Sequence, residues 1–211
     1  ADGIAARLAA EDAHVVMLQE LAGPGLLTRN VDVAGRLARA LPQHALAYSR
    51  DVDSRRAPFS IALDHGPGVL AAVAAETPTV IDLPDDPARL AGVVERNYHA
   101  LSVDLDVDGR PWTLINAHLA AYERTGVRER QLAALIAAAR RRFEEGRAVV
   151  IAGDFNLRLR PGYVAGVSDP PDADGRPFPL DLLPEGWSLL ADASRPTVRS
   201  KEGPWRPGAS R

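Results

Sequence analysis

The 211-residue chain contains no cysteine, which excludes disulfide scaffolds, thiolate metal sites and cysteine nucleophiles. It also lacks an excess of positive charge: 25 Lys and Arg stand against 28 Asp and Glu, a net charge of −3. A surface dedicated to neutralising nucleic-acid phosphates needs a basic excess, so a global polycation of that kind is excluded. No run of roughly 18 apolar residues occurs, so no helix of the sequence reads as membrane-spanning, and no charged n-region followed by an apolar h-region marks a secretion signal. The absence of thiols leaves the compartment open. Abundant Ala, Arg, Gly and Pro fit a high-GC coding sequence, and the expectation is a cytoplasmic or secreted bacterial protein. What the chain does have is 46% hydrophobic residues, enough for one sizeable core. With no internal repeat and no splitting linker, it reads as one domain over residues 1–211, expected to be a monomer.

Three apolar runs end in polar residues. The run Ala148-Val149-Val150-Ile151-Ala152 leads into Gly153-Asp154-Phe155-Asn156 and reads as a buried strand. Alternation along that strand puts Asp154 and Asn156 on one side, and Gly153 permits a close backbone approach or an unusual turn. A plain Asx turn accounts equally well for this word alone. The run His14-Val15-Val16-Met17-Leu18 ends in Gln19-Glu20, with Leu18 and Glu20 expected on one face. Trp112 to Leu119 carries Asn116 and His118 on one face and Ala117 and Leu119 on the other. Ligands in open α/β sheets gather outside the carboxyl ends of strands, so Glu20, His118, Asp154 and Asn156 are candidates for one cleft.

The ordered set Leu18-Gln19-Glu20, Asn116-Ala117-His118-Leu119 and Gly153-Asp154-Phe155-Asn156 resembles the endonuclease/exonuclease/phosphatase superfamily of metal-dependent phosphoesterases, from about Ile4 to about Asp192. Arg128 and Gln131, opening a helix between the second and third motifs, fit the same pattern. The resemblance implies an α/β fold, a four-layer two-sheet α/β sandwich of the deoxyribonuclease type. It implies hydrolysis of phosphoester bonds with Mg²⁺, or Mn²⁺, held by Glu20. Asp154 would position the attacking water, Asn156 would donate its amide to phosphoryl oxygens, and His118 would donate to a phosphate oxygen or assist proton transfer, its ordinary pKa being near neutral. An Arg-paired carboxylate at Glu20 and a satisfied core histidine at His118 are the plainer alternatives.

The implied substrate is a phosphoester, as a general phosphodiester or nucleic acid, with phospholipid, sphingomyelin or inositol phosphate next. A non-catalytic phosphate- or lipid-recognition module is the rival from another class. Two parts of the family pattern have no match: a first-strand Asn and a C-terminal Ser-Asp-His. The chain is therefore expected to be a partial domain, incomplete at both ends, with weak Mg²⁺ binding and little activity by itself. Asp64-His65 precedes Asp154 inside Asp64-His65-Gly66-Pro67-Gly68 and reads as a loop.

Periodicity fills in the rest. Ile4 and Leu8 suggest a first helix; Val33, Leu37 and Leu41 suggest a second, stopped by Pro42. Segment 43–64 has no clear pattern. Val69–Val73 and Thr79–Leu83 read as strands, and Leu101, Val103, Leu105 and Val107 alternate into Asp108-Gly109, a tight hairpin turn. A helix from about Val127 to Glu145 presents Leu132, Leu135, Ile136, Ala139 and Phe143 as its apolar stripe, with Arg140, Arg141 and Arg142 on a solvated face. Nine of the 17 prolines fall between Pro161 and Pro207, so that region reads as loop with a short segment at Trp187–Leu190. The basic residues of the last stretch, Arg195, Arg199, Lys201, Arg206 and Arg211, read as a solvated loop.

Overall fold

A computed structural model describes residues 2–25, 30–50, 52–53, 64–85, 98–121, 126–158 and 177–190. The basic C-terminal stretch lies outside these residues. The chain divides into two compact units, Ala1–Phe155 and Asn156–Arg211.

The first unit follows the amphipathic patterns of its segments. Helix α1 (Asp2–Glu11) leads into strand β1 (Val15–Ala22), followed by helix α2 (Val33–Ala40), β2 (Ala45–Tyr48), β3 (Val52–Asp53) and β4 (Asp64–Ala71). Then come β5 (Thr79–Asp82), β6 (His99–Val107), β7 (Arg110–His118), helix α3 (Val127–Glu144) and β8 (Ala148–Asp154). Asp32 caps α2 by accepting a hydrogen bond from the Gly35 amide at 2.8 Å, which satisfies one donor orphaned at the helix start. One sheet has the order β1-β4-β2, with β3 also on β4; the other runs β5-β6-β7-β8. The first is antiparallel throughout, and the second ends in the parallel pair β7/β8 joined through α3, the crossover a parallel pair requires.

Alternation sorts the side chains into two cores. Val16, Leu18, Leu21 and Leu70 pack with Ala34, Leu37 and Leu41 of the α2 segment. Val15, Met17, Val69 and Ala71 face Leu101, Val103, Leu105 and Leu114 of the opposing sheet. With α3 packed on β7 and β8, the unit is the expected four-layer α/β sandwich. The Asp108-Gly109 turn also forms as expected, with φ of 54° and 74°, the doubly positive pair of a two-residue hairpin.

Several expectations are corrected. Asp64 to Gly68 is strand, not loop: β4 runs through it and pairs on both sides. Proline is rare inside a sheet because it lacks a ladder donor, yet Pro67 lies opposite a bulge in β1, where regular pairing is interrupted. Segment 43–64, which showed no pattern, supplies β2 and β3. Among the described residues β1 and β8 are edge strands, and β8 is half-buried rather than buried, with Val150 39% exposed. Phe143 leaves the α3 stripe and is 56% exposed.

Arg142 is not simply solvated either. It ion-pairs with the buried Asp104 carboxylate on β6, which also accepts a hydrogen bond from Thr113 Oγ1 at 2.6 Å and faces Arg147 Nε at 3.5 Å. Removing one member of a buried charge network leaves the others uncompensated, so Asp104→Ala is expected to cost roughly 3 kcal/mol. That corresponds to a fall in Tm of about 6–12 °C by thermal denaturation. A loss below about 1 kcal/mol would mean that water screens these charges as it does at an open surface.

In the second unit Arg158 and Pro177 form an isolated parallel bridge, and a 3₁₀ turn covers Leu180–Leu182. Trp187–Leu190 has no regular structure, and Leu190 is 88% exposed.

Candidate active site

The site is built from the carboxyl ends of β1, β7 and β8. In β1 the register shifts: Leu18 pairs with Gly68 and Leu21 with Gly66, so Gln19 and Glu20 together stand opposite Pro67. Glu20 takes φ 53°, a left-handed conformation uncommon for a residue with a Cβ. The expectation that Leu18 and Glu20 share a face is therefore overturned. Leu21 takes the helix-facing position beside Leu18, and Glu20 is released to the exposed surface. A regular strand would have directed this carboxylate toward the apolar layer under α2, where an unpaired charge is costly.

On β7, Asn116 is fully buried. Its Oδ1 accepts from Gln19 Nε2 at 2.7 Å, and its Nδ2 donates to the carbonyls of Leu18 and Gly68, both at 2.9 Å. Two residues on, His118 is also buried. In the parallel register it stands beside Asp154, with His118 Nε2 4.0 Å from Asp154 Oδ2. The Asp154 side chain is 53% exposed, so it offers one carboxylate oxygen toward the histidine and remains open to water. The Leu119 amide extends the pairing by donating to the Asp154 carbonyl at 2.9 Å.

Gly153 permits this pairing. Its φ is 144°, and a Cβ placed there would overlap the Ala117 carbonyl oxygen. The close approach expected of this glycine is what the geometry requires. Strand β8 stops at Asp154, and Asn156, with φ 50°, opens the second unit. Strand alternation therefore does not carry through to Asn156, and the sharing of a side with Asp154 is not set by the sheet.

Arg128 and Gln131 secure the segment after His118. Arg128, buried at the start of α3, donates from Nε to the Ala120 carbonyl at 2.8 Å and from Nη2 to that of Ala121 at 2.9 Å. Gln131 accepts from the Ala120 amide at 2.9 Å and donates to the Pro84 carbonyl at 2.8 Å. Among the other histidines, His44 Nε2 lies 2.8 Å from the Ala13 carbonyl, and His99 is buried on β6 opposite Asp82.

Of the four predicted site residues, the structure pairs His118 with Asp154 inside the first unit, while Glu20 stands on the neighbouring sheet beside Gln19. Glu20 follows Gln19, which is bonded to Asn116, and His118, two residues along β7, stands beside Asp154. Asn116 itself was visible in the sequence as the partner of His118 on one face, but its bonds to the opposite sheet were not. No group of three or more His, Asp or Glu side chains converges among the described residues. The donors present are carboxylate oxygens, and the exposed Glu20 can offer a hard cation one such ligand. Mg²⁺ commonly takes one or two carboxylates and keeps several waters, so the donor chemistry fits it.

The whole pattern of residues 1–206 matches the family model described as the endonuclease/exonuclease/phosphatase family. The chain belongs to that family. Solved structures agree on the fold of this family member. ANGEL2, described as a 2′,3′-cyclic phosphatase, superposes with a TM-score of 0.54 at 18% identity over 76% of this chain and 44% of that one. The human nocturnin catalytic domain with bound sulfate gives 0.53 at 18% identity over 75% and 56%. Sphingomyelinase C from Streptomyces griseocarneus gives 0.50 at 20% identity over 75% and 58%. The family member therefore spans about half the length of these structures. No curated protein matches it by sequence.

Proposed function

We propose that this family member is a Mg²⁺-dependent phosphoesterase whose substrate is a phosphodiester, most simply a nucleic acid. The observation that carries the reading is the approach of His118 to Asp154 at 4.0 Å across the β7/β8 register, with the exposed Glu20 next to Gln19, which bonds Asn116 two residues before His118. A phosphodiester is anionic and repels hydroxide, and a bound divalent cation supplies charge neutralisation at its oxygens. Glu20 would hold that cation, and Mn²⁺ could replace Mg²⁺. Asp154, open to water and 4.0 Å from His118, would accept a hydrogen bond from the attacking water and orient it. His118, held by the β7/β8 register, would donate to a phosphoryl oxygen or carry the proton. By the family pattern Gly-Asp-Phe-Asn, Asn156 would add amide hydrogens where charge develops.

One carboxylate ligand and many retained waters make for loose binding. Titration of this chain with Mg²⁺ is expected to give a Kd on the order of millimolar or weaker. The function is tested with the natural full-length product against supercoiled plasmid DNA, bis(p-nitrophenyl) phosphate, sphingomyelin and inositol phosphates. Mg²⁺-dependent cleavage of the first two is expected. Turnover of sphingomyelin alone would reassign the substrate to phospholipid. Inertness toward all four, with both Mg²⁺ and Mn²⁺, would overturn the enzyme reading in favour of a phosphate- or lipid-recognition module.

A further inference from the structure

We infer that Asn116, with Gln19, is a positioning pair that locks the β1 bulge and thereby sets the pose of Glu20; the role of Glu20 rests on the function proposed above. Asn116 is fully buried on the sheet opposite β1. Its amide nitrogen has two hydrogens, and each reaches a carbonyl, those of Leu18 and Gly68 at 2.9 Å. These two residues are register partners, the last regular pair before Leu21 takes up with Gly66. A side chain from the second sheet therefore staples the ladder at the step where it goes out of register.

The remaining polar atom of Asn116, Oδ1, accepts from Gln19 Nε2 at 2.7 Å. Gln19 is one of the two residues standing opposite Pro67. Its side chain is drawn inward between the sheets, on the side where Met17 packs. With Gln19 committed inward and Leu21 seated beside Leu18 on the helix side, the extra residue of the bulge is Glu20. A regular strand could arise in two ways. Sliding the upstream half would set Leu18 opposite Val69 and turn Gln19 away from Asn116, breaking the bonds of the pair. Sliding the downstream half would keep those bonds but set the Glu20 carboxylate against the apolar layer under α2. The pair opposes the first slide and the cost of a buried charge opposes the second, which leaves the register that exposes Glu20.

Packing alone would explain a buried, satisfied asparagine, so the test separates register from stability. Five forms of the chain are compared: wild type, Gln19→Met, Asn116→Ser, Thr113→Val and Glu20→Gln. Gln19→Met keeps the length of the half-buried side chain and removes its carboxamide, and with it the donor to Asn116. Thr113→Val breaks a buried bond at a distance, to Asp104, as a stability control. In metal-free protein, cross-strand NMR contacts are expected to report Leu21 opposite Gly66 in wild type and Thr113→Val, and to lose that register in Gln19→Met. Persistence of the bulged register in Gln19→Met, and in Asn116→Ser if that variant folds, would overturn the lock.

Mn²⁺ affinity, followed by electron paramagnetic resonance, is the second readout. Outer residues that orient a metal ligand typically change affinity 10–100-fold, so Gln19→Met is expected to weaken Mn²⁺ binding at least about tenfold. Thr113→Val is expected to leave it unchanged. A register that melts while Mn²⁺ affinity holds would sever the lock from the site. Glu20→Gln marks the other failure: if it leaves wild-type Mn²⁺ binding intact, the assignment of Glu20 is wrong, while the NMR contacts still decide whether Asn116 locks the bulge.

Discussion

Gly153→Ala is expected to destabilise the first unit by about 4 kcal/mol or more, placing it among the exceptional single substitutions. Two separate penalties add here. The φ of 144° lies where a residue with a Cβ is strained by about 1–3 kcal/mol. The new methyl would also overlap the Ala117 carbonyl oxygen, the backbone that pairs with Gly153 across the parallel β7/β8 ladder. Flexible side chains can move aside for an added methyl; a paired backbone can do so only by opening the ladder. At about 2–4 °C per kcal/mol for a chain of this size, Tm should fall by roughly 8–16 °C. Because His118 and Asp154 are the next register pair, their 4.0 Å approach would be lost together with stability. A Tm within about 2 °C of wild type would show that the ladder yields easily.

Glu20→Gln and Asp154→Asn are each expected to lower kcat of the full-length product by roughly 10²–10³-fold, the scale seen when one preorganised electrostatic group is removed. Both replacements keep the side-chain shape and remove a charge. Glu20 is exposed on its bulge and Asp154 is 53% exposed, so the stability change should stay within about 0.5 kcal/mol. On the proposed function, in which both groups would act on one water and one phosphate, the double variant should fall well short of the product of the two losses, since groups acting as a unit are not additive. Wild-type turnover in either single variant would remove that residue from the chemistry. His118→Gln supplies the internal comparison: because His118 is buried, loss of rate accompanied by a lower Tm would mark a mixed role.

The parts legible in the sequence are those whose cause is local. The β6/β7 hairpin was readable because alternation and Asp108-Gly109 specify it within a few residues. The apolar stripe of α3 was readable as far as Ala139, and Phe143 departs from it only where the helix end runs into solvent. The three polar strand endings were legible for the same reason. The β1 bulge was not, because nothing within Gln19-Glu20 breaks the alternation; the register shift lies opposite Pro67, in a strand distant in sequence. The same proline hid β4, since its missing donor argues against a strand unless the bulge opposite is known. Arg142 could not be distinguished from Arg140 and Arg141 without the buried Asp104 beneath the helix. Edge or central placement of β8 is likewise a property of the assembled sheet, and a short apolar run does not encode it.

The reach of the Asn116 bonds bears on how the first unit assembles. Its partners Gln19 and Leu18 are 97 and 98 residues away in sequence, and Gly68 is 48 away. Loop closure over such separations costs entropy that only later contacts offset. The β6/β7 hairpin, closed by two residues, can form early, while the seam between the sheets must wait for both halves of the unit to arrive. Contacts made after the folding barrier are felt mainly in the rate of opening. The bonds from Asn116 to Gln19, Leu18 and Gly68 are therefore expected to form late and to break early, so that the candidate-site end of the sandwich would set the rate of opening rather than the rate of folding.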